Sequence, residues 1–243
     1  MITIYSILLL VFSNIMSKVY TSKVIRKGEI AEETISISVE RPPSFEFEAG
    51  QYVQLGVEAP LYPDPKGSSR VFSIASSPLN KNELEIAFRN TGSGFKKTLF
   101  ELRVGSPVLL EGPFGHFVLP AQKNLKHIFI AGGIGITPFL SIIETVVNNK
   151  EGIPINLLYA NRSTESTAFL KKLEKLEKDS DCVNVDFIVG RIEAQHLEKH
   201  ILNLNDTIWW IVGPPTMVTE VSCVLQQIGV LQKTIRTEAF IGY

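Results

Sequence analysis

His127-Ile128-Phe129-Ile130-Ala131-Gly132-Gly133-Ile134-Gly135-Ile136-Thr137-Pro138 is the stretch whose reading decides the fold. A short, mostly apolar run ends in three glycines within four positions. Phe139, Ile142, Ile143, Val146 and Val147 then recur at helical spacing. A strand, a glycine turn and a helix in that order form a unit that binds dinucleotide phosphates. Gly133 and Gly135 let the backbone approach a pyrophosphate, and the helix N-terminus favours its charge. Pro138 fits the first helical turn, where its missing N–H is not needed. The turn ends in Gly-Ile-Thr-Pro, without the third glycine of the common fingerprint.

Working outward toward the C-terminus, strands and helices alternate. Strands are expected at Ile155 to Tyr159, Val183 to Val189 and Thr207 to Val212, and helices at Thr167 to Lys178, Glu193 to Ile201 and Thr216 to Ile228. Such alternation implies a doubly wound parallel sheet with ligands beyond the carboxyl ends of its strands. Gly132 to Pro138, Ala160-Asn161-Arg162 and Gly213-Pro214-Pro215-Thr216-Met217 all fall at those ends. Arg162 is either a contact for the adenosine ribose or its 2′-phosphate, or a solvated arginine; Arg191 stands in the same position. His196 and His200 are four apart on a helix, but no third ligand is in view, so a solvated face and no metal site are expected.

Toward the N-terminus the period changes to two. In Thr34 to Glu40, Ile35, Ile37 and Val39 face one way and Thr34, Ser36 and Ser38 the other, the pattern of a half-buried strand. Lys18 to Arg26, Phe47 to Val57, the strand at Arg70, Leu84 to Arg89 and Val108 to Glu111 add five more. Six short strands separated by turn signals imply an antiparallel barrel.

Three stretches in this half carry chemistry. Arg70-Val71-Phe72-Ser73-Ile74-Ala75-Ser76-Ser77-Pro78 places a guanidinium suited to phosphate ahead of an aromatic face and a run of hydroxyls. Phe72 and Ile74 share one face of it, and Val71, Ser73 and Ala75 the other. Gly92-Ser93-Gly94-Phe95 precedes a helix-like run, Lys96 to Leu102, and is either a phosphate-binding helix start or a plain capped turn. Glu111-Gly112-Pro113-Phe114-Gly115-His116-Phe117 is a turn in which His116 is either a proton relay or a plain loop histidine; it resembles a Gly-Pro-aromatic-Gly turn whose implied role is shape.

Composition narrows the function classes. The chain has 243 residues, enough for two domains, with 44% hydrophobic and 20% charged residues and a net charge of −1. That balance provides no field to recruit nucleic acid. The two cysteines, Cys182 and Cys223, lie far apart, whereas a cluster held by this chain's own thiolates normally needs four. Ile2 to Met16 is nearly all apolar and uncharged, short for a spanning helix and without a basic leader; it reads as an over-extended start, a membrane anchor or signal, or a packed helix.

These motifs together resemble the ferredoxin–NADP reductase superfamily. Arg70-Val71-Phe72-Ser73 is similar to its Arg-x-Tyr-Ser flavin motif, with Phe72 in place of Tyr. Gly213 to Met217 is similar to its Cys-Gly-Pro-x-x-Met turn, with Val212 in place of Cys. Lys96 stands where the family usually has Ser or Thr. Glu238-Ala239-Phe240-Ile241-Gly242-Tyr243 resembles the Glu-x-Phe-x-Gly-Tyr signature of some members. The resemblance implies a flavin-binding antiparallel β-barrel over 17–122, followed by a doubly wound NAD(P)-binding domain over 123–243, with 1–16 an apolar extension.

The resemblance also implies NAD(P)H-dependent flavin oxidoreductase activity. FAD is expected on family grounds, with NADH or NADPH as donor. Arg70, Val71, Phe72, Ser73, Ile74, Ser76, Gly94, Phe95 and Lys96 are expected to hold the flavin. Gly133, Gly135, Thr137, Pro138, Arg162, Gly213, Pro214, Met217 and Phe240 are expected to hold the nucleotide and close the site. Ser73 would lie near flavin N5, Thr137 near the nicotinamide, and Tyr243 or Phe240 over the ring. Electrons would pass to ferredoxin, flavodoxin, another redox protein or a small-molecule acceptor. The other implied roles are an electron-transfer subunit of a larger oxidoreductase and a non-catalytic flavin- or nucleotide-binding regulator. A cytoplasmic location is expected, with membrane association if 2–16 is an anchor.

Overall fold

The structure, a computed structural model, describes residues 18–122, 125–201 and 206–240. The expectations for Ile2 to Met16 and for Tyr243 fall outside them.

The first sheet is antiparallel and six-stranded: β1 (Val19–Ala31), β2 (Thr34–Glu40), β3 (Tyr52–Gly56), β4 (Ser69–Ser73), β5 (Glu83–Arg89) and β6 (Pro107–Phe114), in the order β4-β3-β6-β1-β2-β5. Its two edges meet, because Ala75 N–H donates to Glu85 O at 2.7 Å just beyond β4. The sheet thus curls into a barrel. Ile37, Val39, Val53, Leu55, Phe72, Ile74, Leu84, Ile86 and Leu110 fill its interior. Helix α1 (Gly94–Glu101) follows β5 and contributes Phe95 and Leu99 to the same core.

Two strands differ in extent from the sequence reading. β1 runs to Ala31 rather than Arg26, because β2 pairs with it as far as Ala31↔Thr34, through two register shifts. Pairing thus carries a segment with no alternation of its own. The expected strand at Phe47 begins only at Tyr52; Phe45 and Phe47 reach the core from the loop before it. β2 is also buried on both faces, not one. Ser36 Oγ donates to Glu85 Oε1 at 2.6 Å, and Arg26 donates to Ser38 Oγ at 3.0 Å, so the hydroxyl face is covered and satisfied.

The second sheet is parallel, with strands β7 (Lys126–Gly132), β8 (Ile155–Asn161), β9 (Val183–Val189), β10 (Thr207–Gly213) and β11 (Ile235–Ala239) in the order β11-β10-β7-β8-β9. Alternation in its central strands sorts side chains to two cores. Phe129, Ala131, Trp210 and Val212 face α2 (Ile136–Asn148) and α3 (Leu170–Lys178). Ile128, Ile130, Trp209 and Ile211 face α4 (Ala194–Glu198) and α5 (Pro215–Gln227). The strand β11 was not expected from sequence. α3 begins three residues later than expected, where Ser166 and Thr167 hydroxyls bond back to Ser163 O and Phe169 takes φ 60°. Such side-chain bonds compete with helix. α4 ends at Glu198 rather than Ile201.

Barrel and parallel sheet share a seam. Ala75 and Ala87 join the core under α2. Around them, Ser141 Oγ donates to Ser76 O at 2.7 Å and Ser77 N–H to Glu144 Oε2 at 3.1 Å. Lys172 Nζ lies 3.1 Å from Glu144 and 3.6 Å from Glu85, bridging α3 to both. Phe117, in the connection after β6, packs edge-on against Trp210 at 4.8 Å.

Candidate functional site

The strand order of the parallel sheet reverses between β7 and β10, the crevice where open α/β sheets take ligands. Two turns close over that crevice. A Cβ at Gly135 would lie 2.4 Å from Val212 O, so only glycine lets the β7–α2 turn approach β10 this closely. Met217 Sδ would lie 2.3 Å from a Cβ at Gly132, so Met217 packs on the same turn. Phe240 N–H donates to Gly213 O at 3.0 Å, carrying the chain after β11 across the mouth of β10.

A cleft of about 630 Å³ runs from this crevice along the open end of the barrel, within the roughly 300–1,000 Å³ usual for ligand sites. Lys66, Arg70, Arg89 and Lys96 all line it. The Lys96 ammonium is shifted down, first by burial and then by the cations Arg70, Lys66 and Arg89. Arg89 crosses from the barrel to the other sheet: its Nη2 lies 3.8 Å from the position a Cβ on Gly133 would take. Four cations converging in one cleft of a chain with net charge −1 form a polyanion site. That donor set fits a dinucleotide diphosphate.

The expected flavin residues distribute as follows. Ser73 lines the cleft, and Phe72 borders it while stacking between Phe88 and Phe95 in the barrel core, with ring centroids 5.9 and 6.5 Å away. Val71 is exposed at the rim, whereas Ile74 is fully buried in the barrel. Ser76 accepts from Glu85 N–H and belongs to the seam rather than the cleft lining. Gly94 and Lys96 line the cleft at the start of α1.

Arg70 is held in place. Its Nη2 lies 2.6 Å from Asp64 Oδ1, and its Nη1 donates to Lys66 O, Gly67 O and Ser69 O. Asp64 also accepts from the backbone N–H of Phe95 at 3.0 Å and of Lys66 at 2.9 Å. Those two N–H groups, Phe95 first, with the Arg70 guanidinium hold the Asp64 carboxyl down at about 2.

Of the expected nucleotide residues, Thr137 and Phe240 line the cleft, and Gly133, Gly135, Pro138, Arg162, Gly213, Pro214 and Met217 do not. Thr137 is buried at the cleft floor, its Oγ1 donating to Ile134 O at 3.1 Å, and Ile134 lines the cleft beside it. Pro138 sits in the first turn of α2. Gly213, Pro214 and Met217 form the β10–α5 turn, and Phe240 closes the cleft from β11. Arg162 is exposed beyond β8. Arg191 lies 3.8 Å from Glu220 on the surface. Instead of a solvated pair, His196 Nδ1 accepts from Glu193 N–H and caps α4, while His200 lies beyond that helix, half-buried. Among the described residues no three His, Cys, Asp or Glu side chains assemble as metal ligands.

Several cleft residues escaped the sequence reading: Asp64, Lys66, Arg89, Tyr52 and Glu238. Asp64-Pro65-Lys66-Gly67 carries turn chemistry, which hid its charges. Arg89 ends an alternating strand and reads as the solvated terminus of that strand. Glu238 stands in the C-terminal motif, but its position became legible only once β11 was seen. Burial raises its carboxyl, and its Oε2 has no hydrogen-bond partner among the described residues.

An antiparallel barrel and a doubly wound sheet facing one cationic cleft define a two-part dinucleotide-binding architecture. Residues 21–119 match the oxidoreductase FAD-binding domain family and residues 129–222 the oxidoreductase NAD-binding domain family. The chain belongs to the ferredoxin–NADP reductase superfamily of flavin oxidoreductases. It is 26% identical over 244 residues to a flavohemoprotein of Bacillus subtilis, covering 92% of this chain and 60% of that protein. It is 29% identical over 208 residues to the ferredoxin–NAD(P)+ reductase component of the naphthalene 1,2-dioxygenase system of Pseudomonas putida, covering 81% and 61%. The chain thus spans about 60% of the length of these curated relatives. The ferredoxin–NADP+ reductase structure of Plasmodium falciparum superposes with a TM-score of 0.77 at 20% identity, over 90% of this chain and 95% of that one. No helix among the described residues is long and apolar enough to cross a membrane.

Proposed function

We propose that the chain is an NAD(P)H-dependent flavoprotein reductase that holds FAD in the 630 Å³ cleft and delivers electrons to a separate redox protein or a small-molecule acceptor. The observation that carries this reading is the convergence of Arg70, Lys66, Lys96 and Arg89 on one cleft between the barrel and the nucleotide turn. The division falls at about 122/123, with the flavin half before it and the nucleotide half after. Relatives named as reductase components of multi-component systems support one second reading, an electron-transfer subunit of a larger oxidoreductase.

Held by these residues, a flavin would supply the redox chemistry between a reduced nicotinamide and the acceptor. The protein's own residues orient and insulate it. Arg70, Lys66 and Lys96 would neutralise diphosphate charge at the barrel, and Arg89 would do so where the barrel meets the glycine turn. The Ser73 hydroxyl would offer a hydrogen bond to a ring nitrogen, with Phe72 bordering the cleft beside it. Thr137 Oγ1, tied to Ile134 O, fixes the floor on the nicotinamide side. Phe240 shields the cleft from water. The Glu238 carboxyl, raised by burial, lines the cleft wall between barrel and sheet. Positioning of two reactants in this way supplies on the order of 7–11 kcal/mol in the best cases.

The test is an anaerobic visible spectrum of the chain loaded with FAD, titrated separately with NADH and NADPH. Bleaching of the bound-flavin band by either nucleotide is expected, and Arg70→Ala should lose flavin while remaining folded. Bound flavin that neither nucleotide bleaches would refute the reductase reading.

A further inference from the structure

Asp64 places a carboxylate at the start of α1, on the wall of the cleft. Its side chain is only 5% exposed. Oδ2 accepts from Phe95 N–H in the first turn of α1, and Oδ1 lies 2.6 Å from the Arg70 guanidinium. A helix N-terminus beside a guanidinium is the donor pair a diphosphate would use. In this fold the pair already holds an anion that the chain supplies itself.

We propose that Asp64 is an internal stand-in for the cofactor diphosphate, and that the loop carrying it, residues 61–68, is a gate that must lift before the cofactor enters. The proposal rests on the flavin reading above. Two anions on one donor pair repel each other, and a carboxyl held at about 2 stays ionised at neutral pH, so protonation does not relieve the conflict. Either Asp64 leaves or the diphosphate binds weakly.

The closed position of the loop is built into the neighbouring residues. A Cβ on Gly94 would lie 2.1 Å from Pro63 O, so the loop rests directly on the start of α1 because residue 94 has no side chain. Tyr62 N–H donates to Thr98 Oγ1 at 3.2 Å, and Tyr62 Oη donates to Glu101 at 2.8 Å, seating the same end of the loop. At the other end Arg70 Nη1 grips Lys66 O, Gly67 O and Ser69 O, bonds that do not involve Asp64. Pro60, Pro63 and Pro65 stiffen the segment between. Gly67 takes φ +85°, and its N–H donates to Asp64 O at 2.9 Å while its carbonyl accepts from Arg70. A stiff segment held by hydrogen bonds at both ends lifts as a unit once those bonds break.

Two roles for Asp64 give opposite results. If it only aims Arg70, removing its charge weakens cofactor binding; if it occupies the site, removal strengthens it. Asp64→Asn keeps the shape and removes the charge. Its Kd for FAD, read from flavin fluorescence, is expected to fall roughly tenfold, the relief of a closed state favoured by about that ratio. Stopped-flow association to the wild-type chain should level off with rising FAD as loop opening becomes limiting, and in the variant it should stay linear. The melting temperature of Asp64→Asn without FAD should drop, and saturating FAD should abolish the difference. Gly94→Ala, which pushes Pro63 off the helix with Asp64 intact, should also speed association, and it serves if Asp64→Asn does not fold. Unchanged or weaker FAD binding by Asp64→Asn, or Gly94→Ala association no faster than wild type, overturns the gate. No FAD uptake by wild type and variants alike means that the flavin reading has failed, and the gate falls with it.

Discussion

Replacing Gly135 by Ala tests the switch-point geometry directly. Gly135 has φ −60° and ψ −5°, a conformation alanine adopts without strain. On conformational grounds alone the substitution should stabilise the protein, by about 0.4–1 kcal/mol. Sterically it should do the reverse. The new Cβ would stand 2.4 Å from Val212 O, 2.7 Å from Val212 C and 3.0 Å from Gly213 N. All three are backbone atoms of β10, a strand paired on both sides, so no side chain can swing away. Reaching even 3.0 Å from Val212 O requires the turn and the strand to part by about 0.6 Å. Overpacking of this kind costs about 1–3 kcal/mol, and a backbone neighbour places it toward the upper end. The net expectation is a loss of about 2 kcal/mol, or about 4–8 °C in melting temperature for a chain of this size. Thermal melts of wild type and Gly135→Ala measure it. Gly28→Ala, which has nothing within 4 Å of its built Cβ, is the control and should not melt lower. A Gly135→Ala protein that melts at or above the wild-type temperature would refute the close approach of the two turns.

Lys172→Met should remove the bridge between α3 and the barrel. Two carboxylates, Glu85 and Glu144, then face each other without their cation, and a loss of about 1–3 kcal/mol is expected in urea unfolding; Glu144→Gln on the same background should recover part of it. His127 makes stability depend on pH. Burial first, then the Arg236 cation, depresses its imidazole to about 4. The unfolded chain therefore takes up the proton first, and stability should fall as pH drops from about 6.5 to 4, by an order of 2–3 kcal/mol in all. Trp210 Nε1–H donates to His127 Nδ1 at 3.1 Å, so Trp fluorescence reports the change, and His127→Gln should flatten the profile.

Much of this architecture was legible in the chain because apolar periodicity switches from two to alternating strand and helix near residue 125. Strands such as Val183–Val189 matched their sequence bounds because they end at turn residues. Other parts were not legible, for physical reasons. β11 has only Ile235 buried among Ile235, Arg236, Thr237, Glu238 and Ala239, so no pattern marks it; it is a strand because β10 offers it a parallel partner. β1 outruns its alternation for the same reason. In the cleft, Arg70 was visible through its motif. Asp64, which fills the same anion position from a proline-rich loop, was not, because a turn signal says nothing about where its carboxylate points.

The cleft also has a consequence for how the molecule forms. Its walls come from Tyr52, from Asp64 to Ser73, from Ala87 to Lys96, from Ile134 and Thr137, and from Glu238 to Phe240. No local segment contains even a partial version of it. Barrel closure already needs β1 to find β6, far along the chain, and the last wall needs β11 to dock on a sheet that is otherwise finished. Contacts of such long sequence separation form late. During refolding, recovery of ligand binding should therefore trail the return of secondary structure. A ligand that recognises only the finished cleft pulls the folding equilibrium by mass action without guiding the early steps.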